Sequence, residues 1–199
     1  SGASLEIVEV KNPAQIKAPA LVLGSLAAKL VWDVSQDWKK LLKEYCEKSF
    51  GAAAPMLESY YLRLADIQSR SGQEAGSYYA APLIFDAAYL QEAQVDVDKA
   101  LAQNLSKEQR ERVEVAVFPL ATLKQYLAWN AALAKANYPT AQKEYDAILA
   151  DWQKMLGKNA QFVAGEVPGY MKGLMAATTS EGLKYSSDSH DFYRSGVCW

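Results

Sequence analysis

From Ala20 onward, apolar residues recur at the three-to-four-residue period of an amphipathic helix, not the two-residue period of a strand. A first helix is predicted from about Ala20 to Trp32. The second has the sharpest stripe: Val34, Trp38, Leu41, Leu42, Tyr45, Cys46 and Ser49 share a face, while Lys39, Lys40, Lys43, Glu44, Glu47 and Lys48 lie largely off it. Asp33 with Gln36 three residues later forms a capping-box pattern that predicts the start of this helix, and Gly51 predicts its stop. A third helix is predicted over about Ala53 to Arg70, with Pro55 in its first turn and Leu57, Tyr60, Tyr61, Leu64 and Ile67 as its stripe.

The Gly/Ser-rich stretch Ser69–Ser77 reads as a loop. A fourth helix is expected to begin near Pro82 or Asp86 and to carry Leu90, Ala93, Val97 and Leu101 inward. Ser106 and Gln109 form a second capping box, opening a fifth helix that reaches toward Ala136 and holds Pro119 within it, where a proline removes one helical hydrogen bond and kinks the axis. A sixth helix is expected over about Pro139 to Leu156, ended by Gly157. Helices two–three and five–six form hairpins of similar size, but their residues do not align as a repeat. The expectation is an all-α antiparallel bundle or array of about six helices, residues 1–157, followed by an irregular tail, residues 158–199. One short helical piece is expected near Tyr170–Ala177, and the tail docks on the bundle. Residues 5–10 have strand character but are too short to found a sheet.

At 199 residues, half of them hydrophobic and 22% charged, with a formal net charge of −2, the composition is that of a folded globular domain. Lysine and arginine are dispersed, so the electrostatic footprint of a nucleic-acid binder is missing. The most apolar stretch, Ala18–Trp32, is interrupted by Pro19, Gly24 and Lys29 and falls short of a membrane span. No signal peptide is evident, and Ser1-Gly2-Ala3-Ser4 reads as a junction left by cloning or excision. Two cysteines, Cys46 on an apolar helix face and Cys198 near the end, are expected to be free thiols, a bridge requiring the tail to fold back.

Candidate chemistry is sparse. Asp33 and Asp37 share a helix face, as a pair of glycosidase carboxylates would need to share a cleft, yet helix capping explains both better. The single histidine, His190, lies between Asp188 and Asp191 in a serine-rich segment, which suits a solvated loop better than a catalytic triad or metal site. Gly165, Gly169 and Gly173 precede no phosphate-binding turn. No cofactor or metal is expected, and no catalytic residue emerges. The aromatics weigh more. Tyr60-Tyr61 and Tyr78-Tyr79 are adjacent pairs, and neighbours on a helix do not both point into one core. Three readings stay open for the four tyrosines: core packing with hydroxyls at the edge, a platform on which a sugar stacks, or an interface with another domain or subunit.

Residues 26–61 carry a more specific signal. Leu26-Ala27-Ala28-Lys29-Leu30-Val31-Trp32-Asp33, then Asp37, Leu41 and Glu44, then Ser49-Phe50-Gly51-Ala52-Ala53-Ala54-Pro55 and Tyr60-Tyr61, resemble the helical region that follows the predicted catalytic barrel in a family of large, uncharacterised bacterial proteins. Those proteins are classed near the α-glucuronidases and other glycoside hydrolases. Val34 stands where the family usually has proline, and Phe50 where it has tyrosine. Pro82–Leu105 and Arg110–Leu127 resemble the family's later paired helices in texture alone. The resemblance implies a non-catalytic domain of a carbohydrate-active protein, because the family's catalytic acid and base lie on the barrel. It also implies a barrel of the same polypeptide or a second subunit as partner, carbohydrate as a further ligand, and an extracellular or periplasmic setting. The rival reading from the residues is an independent helical module that binds a protein through an aromatic face.

Overall fold

A computed structural model describes residues 18–73 and 80–159, and among these every regular element is helical. In chain order they are α1 (Ala18–Trp32), α2 (Trp38–Phe50), a 3-10 turn (Gly51–Ala53), α3 (Ala54–Ser71), a single-turn α4 (Ala81–Ile84), α5 (Ala87–Leu101), α6 (Lys107–Ala134) and α7 (Tyr138–Asn159). The all-α array is as expected. The strand-like residues 5–10, Cys198 and the tail from residue 160 onward lie outside the described residues.

The stripes read from the sequence match the buried faces in their central residues. Leu42, Cys46 and Phe50 recur every four residues on α2, and Leu57, Tyr60 and Ile67 line the inner face of α3. On α5 the buried face is Tyr89, Ala93, Val97 and Ala100; of the expected stripe Ala93 and Val97 are buried, while Leu90 and Leu101 are only partly so. Helix α6 is different, because Val113, Val115, Ala116, Leu120, Thr122, Tyr126 and Trp129 are buried on several sides. The cause is its position. At 28 residues it is about 42 Å long, and it touches α1, α2, α4, α5 and α7. Three apolar clusters follow one another along it: Leu42, Cys46, Leu57 and Val113 at its start, Tyr60, Tyr89, Val97 and Leu120 midway, and Tyr126, Trp129, Tyr145 and Ile148 at its end.

Polar pairs between helices set the directions. Glu114 meets Lys158 while Gln125 meets Asp151, so α6 and α7 run antiparallel. Ser59 and Arg63 meet Asp96 and Arg63 also meets Glu92, which makes α3 and α5 antiparallel as well.

Most helix boundaries have the chemical cause expected of them. Ser106 and Gln109 form the reciprocal box that starts α6, and Asp86 accepts from the Tyr89 N–H at 2.7 Å to start α5. Helix α6 ends with Ala136 at φ 52°, the Ala136 N–H on Leu133 O (2.8 Å) and the Asn137 N–H on Ala132 O (2.9 Å). That is a Schellman ending with alanine in the place glycine usually takes.

Two boundaries correct the sequence reading. Helix α2 begins at Trp38, not at Val34, and its cap is Asp37, whose carboxylate accepts from the Lys39 N–H at 2.9 Å. Asp33 instead closes a turn after α1, so the Asp33–Gln36 pattern makes no capping box. Gly157 does not end the last helix, which continues to Asn159, because glycine weakens a helix interior by only ~1 kcal/mol relative to alanine. Cys46 is a free, fully buried thiol that burial pushes up to about 12, as befits a small apolar core residue.

Candidate functional site: the exposed turn between α1 and α2

The chain leaves α1 with the Asp33 N–H still bonded to Lys29 O at 3.1 Å. The Asp33 carboxylate then accepts from the Ser35 hydroxyl at 2.6 Å and the Ser35 N–H at 3.0 Å, while the Gln36 N–H reaches Asp33 O at 3.3 Å. Two residues later the Asp37 cap starts α2. Lys29 on α1 reaches Glu44 on α2 at 3.1 Å, and Glu44 also accepts from Lys48 at 2.6 Å. The turn is therefore bonded at both ends and braced across its base.

Beside the exposed polar residues Asp33, Ser35, Gln36 and Asp37, this braced turn presents four large apolar side chains. Trp32 is 91% exposed, Val34 87%, Val31 59% and Trp38 38%, all within eight consecutive residues. The Lys39 ammonium lies 5.7 Å from the centroid of the Trp38 ring, which keeps the edge of the patch cationic. Scattered exposed aliphatics are ordinary, but large apolar side chains gathered on a hydrogen-bonded turn mark a contact surface. A tryptophan buries ~150–250 Å² in a contact, so at ~25 cal/mol per Å² covering Trp32 alone is worth roughly 4–6 kcal/mol before the costs of association. Sequence periodicity assigned Val34 and Trp38 to an inward stripe. The helix starts too late for that stripe to include Val34, and Trp38 sits at its first, half-open position.

The two aspartates nearby do not make a catalytic pair. Hydrogen bonds from the Ser35 hydroxyl, and then from its backbone, hold the Asp33 carboxyl below the usual carboxylate range. Asp37 is engaged by the backbone it caps. A proton donor for glycosidic oxygen needs the opposite environment, one that raises the carboxyl.

The structure divides the tyrosines expected to form an aromatic face. Tyr60 is 3% exposed and belongs to the middle core cluster, its hydroxyl pushed up to about 12 by burial. Tyr61 is half-buried, packs between the first and middle clusters, and has its hydroxyl buried without a hydrogen-bond partner among the described residues. Burial, and then the neighbouring Tyr60, push that hydroxyl well above its ordinary value. The rings stand 5.2 Å apart at 58°. As adjacency requires, the two are not equally central: Tyr60 is buried, while Tyr61 keeps part of its surface exposed. Tyr78 and Tyr79 lie outside the described residues, as do Asp188, His190 and Asp191. Among the described residues no group of three His, Cys, Asp or Glu side chains is placed to hold a metal, and no helix is long and apolar enough to cross a membrane.

One polar site was not read from the sequence. Asp96, only 7% exposed, accepts from Arg63 Nε at 2.7 Å and Ser59 Oγ at 3.1 Å, and Arg63 also pairs with Glu92. Asp96 shares the inner face of α5 with Val97 and Ala100, and a carboxylate on an apolar stripe is the signal that would have found it. Its partners lie on α3, so it cross-links α3 and α5.

Comparison of the chain with family models, with curated proteins and with solved structures returned no match.

Proposed function

We propose that this chain is a non-catalytic helical domain of a carbohydrate-active, glycoside-hydrolase-like protein, and that it packs on the catalytic barrel through the turn Val31–Trp38. The observation that carries the reading is the near-complete exposure of Trp32 and Val34 on a turn held in place by Asp33, Asp37 and the Lys29–Glu44 pair.

The resemblance falls on this same region. Leu26–Asp33 with Asp37 and Glu44 forms the turn and its braces, and Phe50-Gly51-Ala52-Ala53-Ala54 forms the corner between α2 and α3. In such an arrangement the corner keeps the fold and the turn meets the partner. A domain of this kind contributes apolar area and position to a neighbour and needs no acid or base of its own.

A rival reading, an independent helical module that binds a separate protein, uses the same surface, with Trp32 and Trp38 in the place the tyrosines were expected to fill. The two readings part at the encoding locus. The proposal expects a barrel-length segment in the same reading frame, and expects that segment, produced separately, to form a one-to-one complex with this chain in sedimentation velocity. Trp32→Ser with Val34→Ser should abolish the complex without changing the helical circular dichroism. A locus that encodes no such segment rejects the proposal in favour of the rival reading.

A further inference from the structure

Helices α5 and α7 both pack on α6, and between them they leave a cleft of about 340 Å³. That is within the ~300–1,000 Å³ range of small-molecule sites. Its apolar lining comes from Val97 and Leu101 of α5, Val117, Phe118 and Leu120 of α6, and Met155 of α7. The Phe118 ring is held edge-on by Trp152 at 5.3 Å, so this wall is fixed by packing.

The rim is polar, and most of it is already engaged. Gln94 of α5 accepts from Lys124 of α6 at 2.9 Å, and Asp151 of α7 accepts from Gln125 of α6 at 2.7 Å. Glu114 of α6 pairs with Lys158 of α7 at 3.6 Å. Four charged groups line the cleft: Glu114, Asp151, Lys154 and Lys158. Glu114 and Lys158 neutralise each other, and Asp151 is bound by an amide. Lys154, one turn before Lys158 and at the same mouth, makes no hydrogen bond or ion pair among the described residues. Asp151 keeps its negative charge, so the four groups sum to zero, and the ammonium left to meet a ligand above the apolar floor is that of Lys154.

We propose that this cleft binds a small amphipathic monocarboxylate, with its hydrocarbon body along Val97, Leu101, Val117 and Phe118 and its carboxylate on Lys154. An ammonium on a flexible stem serves this role as a point charge that follows the ligand head, while the three cross-helix bridges keep the mouth open. The site lies on α5–α7 and does not depend on the docking role of the α1–α2 turn.

Octanoate is the probe, with 1-octanol as its neutral counterpart, titrated into the full chain by isothermal calorimetry and by amide chemical-shift mapping. The expected result is saturable octanoate binding with shifts confined to α5, α6 and α7. Lys154→Glu should weaken it at least tenfold, as loss of a charge-assisted contact followed by repulsion does, and 1-octanol should bind at least tenfold more weakly than octanoate. Ala121→Phe, which adds bulk from an exposed position at the cleft's edge, should also weaken octanoate. Absence of saturable binding at millimolar octanoate, octanol binding equal to octanoate, or an unchanged affinity in Lys154→Glu would each overturn the proposal.

Discussion

Replacing Gly51 by alanine tests how the corner between α2 and α3 is tied to the start of α6. Gly51 has φ 55° and ψ −122°, a backbone conformation that an L side chain tolerates poorly, at a cost of ~2 kcal/mol. The space is also taken. A Cβ at this position would overlap Gln109 Nε2 and lie 2.8 Å from Gln109 Cδ. The Gln109 end is flexible and would swing aside, but it is the group whose Oε1 accepts from the Ser106 N–H at 3.1 Å, the second half of the box that starts α6. Losing that bond adds ~0.5–1 kcal/mol, so Gly51→Ala should cost about 3 kcal/mol in all. Gln109→Ala alone should cost ~1 kcal/mol. Because Gly51→Ala already displaces Gln109, the double variant should cost little more than Gly51→Ala, leaving a coupling of ~0.5–1 kcal/mol between positions 58 residues apart in sequence. Urea denaturation followed by far-ultraviolet circular dichroism measures all three, with the slope unchanged if only native stability moves. If Gly51→Ala falls within about 0.5 kcal/mol of the wild type, or the single costs simply add, the corner is not locked as described.

The corrected start of α2 makes an ordering: Asp37→Ala should cost about 1 kcal/mol as a lost cap, and Asp33→Ala less than half of that, and the same denaturation experiment reads both. Ala136→Gly should stabilise the fold by ~0.5–1 kcal/mol by relieving an alanine held in the left-handed region, measured as a raised urea midpoint. Glu44 is held down to about 2, from 4.5, first by the hydrogen bond from Lys48 and then by Lys29. Its folded pKa is depressed, so its contribution is complete above pH 4.5 and is lost as pH falls through about 2. Glu44→Gln should therefore flatten the stability profile in that window, and because the side chain is 42% exposed the difference should shrink in high salt.

Where sequence and structure agree, local chemistry and tertiary packing favour the same residues. Ser106 and Gln109 form their box, the Ser106 hydroxyl accepting from the Gln109 N–H while it donates to Glu108, and the α3 and α5 stripes turn inward because each helix has one inner face. Agreement fails where two signals of equal local strength compete. Asp33 and Asp37 are both sound N-caps, and periodicity alone includes Val34 in the stripe. The turn bonds of Asp33 to Ser35 decide for Asp37, and that choice turns Val34 and Trp32 outward. The adjacent tyrosines gave a rule about pairs but not which partner helix would cover Tyr61. Helix α6 hid its neighbours for another reason: buried on several sides, it carries no single stripe to reveal the cleft between α5 and α7. The cross-helix partners of Asp96 come from α3, 33 and 37 residues away, beyond any local pattern.

The proposed packing of the Val31–Trp38 turn on a barrel domain is tested most directly at Trp32, which is 91% exposed in this chain. Hydroxyl-radical footprinting with mass spectrometry measures that side chain directly, in this chain alone and in the complete product of its gene. Rapid oxidation of Trp32 is expected in the isolated chain and several-fold slower oxidation in the intact protein, with the buried Trp129 slow in both. Equal oxidation of Trp32 in the two would contradict the proposed packing.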